Sequence, residues 1–128
     1  MRIKIGVWTY ENVTTVNSDS ETKTFSINGR HLAYSQEFLE DSIRIVRKWP
    51  EYLEENKCDG VIYKITYDDG QEKRTLAGNN KVPDGFAGLM NLIKLHTPKT
   101  KEEIENENWS RVLREYRFNY SKGREDIK

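Results

Sequence analysis

Hydrophobic and polar residues alternate at the start of the chain. Ile3, Ile5 and Val7 occupy every second position, with other residue types between them. A period of two is typical of a β-strand with one buried face, so we predict a strand over residues 2–10. The opposite face of this strand would carry one basic and two aromatic side chains, Lys4, Trp8 and Tyr10.

The next segment has a different composition. Residues 11–21 are rich in Thr, Asn and Ser, which predicts a long connection, either an exposed hairpin or a mobile flap. A short hairpin is predicted to follow, because Asn28-Gly29 suits a type I′ turn in which both central residues have positive φ. Phe25 would then lie opposite Leu32.

From Ser35 the hydrophobic positions change to helical spacing. The apolar stripe comprises Leu39, Ile43, Val46, Trp49 and Leu53, and is widened by Phe38, Ile45 and Tyr52. Ser35 is a suitable N-cap, because its hydroxyl can accept a hydrogen bond from an early backbone N–H group. Pro50 would clash with the carbonyl group four residues before it. Residues 36–56 therefore form either one kinked helix or two elements that meet near Lys48, and the alternation in Ile43-Arg44-Ile45 leaves a strand as a further alternative.

A second hairpin and a second helix are predicted beyond residue 60. Val61–Tyr67 is almost entirely β-branched or aromatic, which favours a strand. Asp69-Gly70 predicts a turn into a charged return strand over 72–76, at an edge or facing solvent, which residues 78–80 would end. After Pro83, hydrophobic residues recur at helical spacing with few charges. We expect this helix to be the most deeply buried one.

The last segment predicts another helix and a tail. Thr100-Lys101-Glu102-Glu103 matches a capping box, and the helix that follows is acidic at its start and basic at its end, as the helix dipole favours. Residues 121–128 are predicted to be a charged, frayed tail. Together the elements predict a single α+β domain over residues 1–120. Its two layers would be a small antiparallel sheet, made of the N-terminal strand and two hairpins, and two to three helices.

Composition restricts the function further. The 128-residue chain has 21 basic and 21 acidic side chains, and this balance argues against a dedicated duplex-DNA binder. A single cysteine and an N-terminal segment without a long apolar run favour the cytoplasm. The uncharged stretch over residues 85–93 is far shorter than the roughly 20 apolar residues of a membrane span, so no membrane association is predicted.

Residues for catalysis or metal binding are few. The two histidines, His31 and His96, do not have the spacing of zinc ligands. Cys58 lies in a sequence unlike the strained turn that presents a nucleophile, and no phosphate-binding loop occurs. We therefore predict no metal, no cofactor and no catalytic residue. An enzyme with an unrecognised site near either histidine stays open as a second alternative.

Two clusters are candidates for binding. Trp8 and Tyr10 would form an exposed aromatic patch if no helix covers their strand face, and both residue types are enriched at protein-protein hot spots. They lead to the main prediction, a small non-catalytic module that binds a larger protein as a regulator, inhibitor or accessory protein. Its general character resembles that of small phage or mobile-element proteins that bind a host factor, although no motif assigns it to a family.

The alternative binding cluster lies near the C-terminus and comprises Arg111, Arg114, Arg117 and Tyr120. Arginines spaced by three can meet phosphates together, and a tyrosine can stack on an unpaired base. This pattern predicts a single-stranded nucleic-acid or RNA binder. Helical ion pairs with Glu107 and Glu115 are the simpler explanation of the same arginines.

Overall fold

A β-sheet dominates the fold. The computed structural model describes residues 1–56 and 60–98. In this part of the chain seven strands form one sheet, and two helices accompany it. The elements in chain order are β1 (Arg2–Trp8), β2 (Val13–Asp19), β3 (Thr24–Ile27), β4 (Arg30–His31), α1 (Gln36–Val46), β5 (Tyr52–Glu54), β6 (Ile62–Asp68), β7 (Lys73–Asn79) and α2 (Phe86–His96).

The strand order across the sheet is β4-β3-β2-β1-β6-β7-β5. Neighbouring strands are antiparallel except at one edge, where β5 runs parallel to β7. The first strand of the chain is central, because β1 pairs along its whole length with both β2 and β6. The α+β class agrees with the sequence prediction. The prediction of a small antiparallel sheet is wrong, since the sheet is large and mixed.

The structure corrects the prediction for residues 11–21. This segment was expected to be a connection, but most of it forms β2. Only Val16 and Ser18 of this strand are buried, so its hydrophobic alternation is too weak to indicate a strand. The strand forms because β1 and β3 supply hydrogen-bond partners on both sides, which satisfies the backbone without a strong side-chain pattern.

The segment over residues 36–56 consists of a helix and a strand. Helix α1 begins at the predicted N-cap, where the Ser35 hydroxyl accepts a hydrogen bond from the Phe38 N–H group at 3.1 Å. The chain leaves the helix before Pro50 and enters β5, so one kinked helix is wrong, and the alternative of two elements agrees with the structure. A strand over Ile43-Arg44-Ile45 is wrong as well. Leu53 and Tyr52 belong to the sheet and not to the helical stripe.

The two predicted turns are present. Asn28 and Gly29 both have positive φ, 52° and 78°, as a type I′ turn requires. Gly70, with a φ of 90°, lies in the turn between β6 and β7. The return strand continues through Gly78, which was expected to end it, because its last three residues pair with β5. That pairing also means that β7 is not an edge strand along its whole length.

Both helices pack on the same face of the sheet, which we call the inner face. The buried hydrophobic side chains of the inner face are Ile3, Ile5 and Val7 of β1, Val16 of β2, Phe25 and Ile27 of β3, Tyr63, Ile65 and Tyr67 of β6, and Leu76 of β7. They form one core with the buried side of α1 and with Leu89 and Ile93 of α2. The opposite side of the strands is called the outer face.

Helix α2 is less buried than expected. Of its residues only Leu89 and Ile93 are buried, whereas α1 buries five, Phe38, Leu39, Ser42, Ile43 and Val46. The sequence of α2 is apolar on more than one side, but tertiary packing covers a single side and leaves Ala87, Gly88 and Leu95 exposed. Among the described residues no helix has the length and apolar character needed to cross a bilayer.

Polar contacts join the β6–β7 hairpin to the end of α1. The Arg74 guanidinium donates hydrogen bonds of 2.9 Å to the backbone carbonyls of Arg47 and Trp49. The carbonyl groups at the end of a helix have no partner within it, so the hairpin caps α1. The Arg47 Nη2 atom in turn lies 2.9 Å from the Asp69 Oδ2 atom in the hairpin turn.

Two glycines allow a sharp test of packing. Gly78 lies directly opposite Tyr63 and so close beneath its ring that a Cβ atom would overlap it. Tyr63 is 1% exposed and packs against Trp49 and Phe86, so the ring cannot move aside.

We predict that Gly78→Ala lowers the free energy of unfolding by about 1–3 kcal/mol. Gly88→Ala, whose Cβ would meet no atom within 4 Å, should raise it by about 0.5–1 kcal/mol. Urea denaturation measures both, and the same sign for the two variants would contradict the packing described.

The hairpin turn makes stability depend on pH. The Asp69 carboxylate accepts hydrogen bonds from the Glu72 and Gln71 N–H groups and faces Arg47, and these contacts lower its pKa below the ordinary value of 3.8. A carboxyl group with a lowered pKa stabilises the fold above its unfolded pKa, and this contribution is lost as the pH falls through the folded value. We predict that the stability advantage of the wild type over Asp69→Asn is present at neutral pH and shrinks below about pH 4.

Urea unfolding of both proteins between about pH 7 and pH 2 measures this difference. Asp69→Ala is the matched variant, because it removes both the carboxylate charge and the oxygen atom that accepts hydrogen bonds from the Gln71 and Glu72 N–H groups. It should remain less stable than the wild type at the lowest pH. An advantage over Asp69→Asn that does not change with pH would contradict the role assigned to the carboxylate charge.

Candidate functional site

The strand register arranges the outer face as four rows across the sheet. Directly paired residues of neighbouring strands share a face, so each row is named by its β1 residue. The Arg2 row contains Thr24, Asp19, Arg2, Asp68 and Lys73. The Lys4 row contains His31, Ser26, Asn17, Lys4, Thr66 and Thr75. The Gly6 row contains Thr15, Gly6, Lys64, Ala77 and Tyr52. The Trp8 row contains Val13, Trp8, Ile62, Asn79 and Glu54.

Three large hydrophobic side chains adjoin in the Trp8 row. Val13, Trp8 and Ile62 belong to three neighbouring strands and are 54%, 41% and 49% exposed. Directly paired residues have Cβ atoms about 5 Å apart, so the three form one continuous surface, which we call the apolar strip. Single exposed hydrophobic residues are ordinary on protein surfaces, whereas adjoining ones indicate a contact region.

The indole of Trp8 lies over Gly6. A Cβ atom on Gly6 would be 2.7 Å from Trp8 Cη2 and 3.1 Å from Trp8 Cζ3. The benzene edge of the indole therefore occupies the space of a side chain at position 6. Gly6 is buried as a result, while a large part of the indole stays exposed. This arrangement extends the apolar strip into the Gly6 row, next to Lys64.

Tyr10 is also exposed, at 88%. Strand β1 ends at Trp8, and the Tyr10 ring contacts the backbone of Gly60. Gly60 has a φ of 68°, a conformation that disfavours other residues, and the ring fills the place where a Cβ atom would be. Tyr10 therefore lies beyond the end of β1, against Gly60.

Three exposed hydrophobic residues of the outer face were not identified from the sequence, namely Val13, Ile62 and Tyr52. Val13 was assigned to a connection, and Tyr52 to a helix. Ile62 was grouped with a strand whose residues are nearly all apolar, although Tyr63, Ile65 and Tyr67 are the buried ones. Strict alternation along β6, with Lys64 and Thr66 on the same face as Ile62, was the signal that could have located it.

The charges on the outer face follow the rows. The Arg2 row alternates in sign, because Asp19, Arg2, Asp68 and Lys73 are neighbours in that order. The Lys4 and Gly6 rows contain Lys4 and Lys64 but no carboxylate. Both lysines are exposed, and neither forms an ion pair with a residue in the described parts of the chain. The middle of the outer face is therefore basic, beside the apolar strip.

A polar cleft of about 250 Å³ opens beside the Arg2 row. It is lined by Met1, Arg2, Asp19, Glu21, Asp68 and Gly70. Within residues 1–56 and 60–98, no group of three His, Cys, Asp or Glu side chains is arranged to hold a metal ion. The cleft therefore supplies carboxylates without the geometry of a metal site.

The histidines lie on opposite faces of the sheet. His31 is exposed on the outer face, paired with Ser26. His96, the last residue of α2, meets the rings of Phe38 and Phe25 edge-on, with centroids 5.1 and 6.0 Å apart. No hydrogen bond links either histidine to another described side chain. Within residues 1–56 and 60–98, no nucleophile is therefore hydrogen-bonded to a histidine base.

The remaining candidates lie outside the described residues. They are Cys58 and the C-terminal cluster of Arg111, Arg114, Arg117 and Tyr120. Comparison of the chain with protein-family models, curated proteins and solved structures finds no match. Function must therefore be inferred from the outer face itself.

The contact between Gly6 and Trp8 can be tested directly. We predict that Gly6→Ala displaces the indole, because the new Cβ atom takes the place of Cη2, and that the fold survives, since a surface ring can rotate away. The loss of stability should not exceed about 2 kcal/mol. In ¹⁵N–¹H correlation spectra the Trp8 Nε1–H signal should shift strongly, whereas Thr75→Ala, elsewhere on the same face, should leave it in place. An unchanged indole signal in Gly6→Ala would contradict the arrangement.

Proposed function

We propose that this protein is a small non-catalytic binding module that docks on a larger protein through the outer face of its sheet. The observation that carries the proposal is the apolar strip, in which Val13, Trp8 and Ile62 adjoin at one end of the three central strands and remain exposed. Regulator, inhibitor and accessory subunit are the roles that suit such a module. A single cysteine in the chain suits a reducing compartment such as the cytoplasm.

The position of the strip favours tight binding. Its central residue lies on β1, which is hydrogen-bonded to a neighbour on each side, so the backbone is already ordered before a partner arrives. The Trp8 indole is also held, because it rests on Gly6. Binding costs less conformational entropy when side chain and backbone are preorganised, and tryptophan is among the residues most often found at hot spots.

A binding surface for single-stranded nucleic acid would have a different composition. Such surfaces combine several aromatic stacking platforms with a basic groove. Here the two neighbours of Trp8 in its row are aliphatic, and two aspartates lie in the Arg2 row. Aliphatic neighbours of Trp8, together with carboxylates at the other end of the same face, suit a protein partner better than a phosphate backbone.

Site-specific photo-crosslinking in cells that contain the partner tests the proposal. A benzophenone side chain at Asn17, exposed on the outer face beside Lys4, should form a crosslink to a larger protein. The same group at Asn91, exposed on α2, should not. Trp8→Ala should reduce the yield of the Asn17 crosslink by roughly tenfold or more, as expected for a hot-spot residue worth at least about 2 kcal/mol.

Leu95→Ala is the matched control, because Leu95 is an exposed hydrophobic residue on the other layer of the domain. It should leave the crosslink yield unchanged, and circular dichroism should show that both variants are folded. A yield that does not respond to Trp8→Ala, or equal crosslinking from Asn17 and Asn91, would overturn the proposal. A crosslink to nucleic acid instead of protein would replace it with the other binding class.

A further inference from the structure

A second copy of the outer face would supply no carboxylate to the two middle rows, which contain Lys4 and Lys64. Two sheets that stack through a two-fold axis parallel to their strands place each row against the same row of the partner. The Lys4 and Gly6 rows would then meet with lysines on both sides and no carboxylate on either. An axis perpendicular to the strands would place the apolar strip on the alternating charges of the Arg2 row. Neither arrangement places a carboxylate opposite Lys4 or Lys64, so a second copy leaves both lysines without a partner.

We infer that the partner presents an acidic surface beside an apolar one, with carboxylates facing Lys4 and Lys64 and apolar side chains facing the strip. This inference rests on the proposed function and adds the chemistry of the partner. Both lysines are exposed and free of ion pairs with the described residues. Hydroxyl and amide groups that can also donate hydrogen bonds to a carboxylate surround them, namely Thr15, Asn17, Ser26, Thr66 and Thr75.

The lysines and the strip act together because they are adjacent. Lys64 is next to Gly6 in its row, and the Trp8 indole covers Gly6. A partner that buries the indole thus also brings its own groups to the Lys64 ammonium. Complementary charge at such a place steers association and selects among apolar partners, which the strip alone does not do.

Carboxylates fit this surface better than a phosphate chain does. Two lysines would contribute a salt slope of about −1.4 for single-stranded nucleic acid, far less than a protein that makes about 6–10 phosphate contacts. An extended phosphate chain along the strands would also meet Asp19 or Asp68 in the Arg2 row. A few carboxylates placed opposite Lys4 and Lys64 need only two basic contacts and do not approach the aspartates of the Arg2 row.

Titration of the ¹⁵N-labelled full-length protein with three probes tests the inference. The first probe is a blocked peptide in which Glu alternates with Leu and Phe, and the second has Lys in place of every Glu. The third is a short oligothymidylate. The acidic peptide should shift the signals of the Trp8 indole and of the Lys4 and Gly6 rows, and should bind about tenfold or more tightly than the basic peptide.

Variants separate the charge from the apolar contact. The double variant Lys4→Gln/Lys64→Gln should weaken binding of the acidic peptide by about tenfold, and added salt should have a similar effect. Lys73→Gln is the control, since Lys73 lies opposite Asp68 in the Arg2 row, away from the two middle rows, and it should leave the affinity nearly unchanged. Trp8→Ala should abolish binding of the acidic peptide.

The outcomes distinguish a failure of the acidic-partner inference from a failure of the proposed function. Equal binding of both peptides, lost in Trp8→Ala, would overturn the acidic partner and leave the proposed function in place. Absence of outer-face shifts with either peptide would overturn both. Tighter binding of oligothymidylate on the same face would also overturn both, in favour of nucleic acid. Dimerisation of the free protein that disappears in Trp8→Ala, seen by sedimentation, would overturn the inference in favour of a second copy.

Discussion

The pairing of β1 with a strand on each side is the constraint on which the rest of the structure depends. Each of its seven residues is aligned with one residue of β2 and one of β6. This double register determines which side chains of three strands face the helices and which face away. A slip of one residue would exchange the two faces, placing Lys4 in the core and Ile5 outside it.

Two glycines adapt this sheet to aromatic rings on its two faces. Gly78 lies under Tyr63 on the inner face, where the ring is enclosed by Trp49 and Phe86. Gly6 lies under Trp8 on the outer face, where the ring stays partly exposed. A glycine beneath an aromatic ring therefore contributes to core packing on the inner face and to an exposed surface on the outer face. What differs is whether a helix covers the ring.

Local patterns were sufficient for much of the fold. Ile3, Ile5 and Val7 indicated β1, the hydroxyl of Ser35 marked the start of α1, and Asn28-Gly29 indicated its turn. The place of Trp8 opposite the apolar residues of β1 was also predicted, with its exposure dependent on whether a helix covers that face. These features depend on neighbours in sequence, on strand periodicity and on capping chemistry. Val13 and Tyr52 were not anticipated, because β2 has too little hydrophobic alternation to indicate a strand and β5 forms by pairing with β7, further along the chain.

The sequence by itself determined the α+β class, the identity of most core residues, the balance of charge and the scarcity of groups suited to catalysis. Tertiary structure alone decided the strand order, the place of β1 at the centre and the contact between Val13, Trp8 and Ile62. The physical reason is that hydrogen bonds between strands are formed by the backbone, which is the same in every residue. Side chains indicate that a strand forms and which face is apolar, but only the folded chain decides which strands become neighbours.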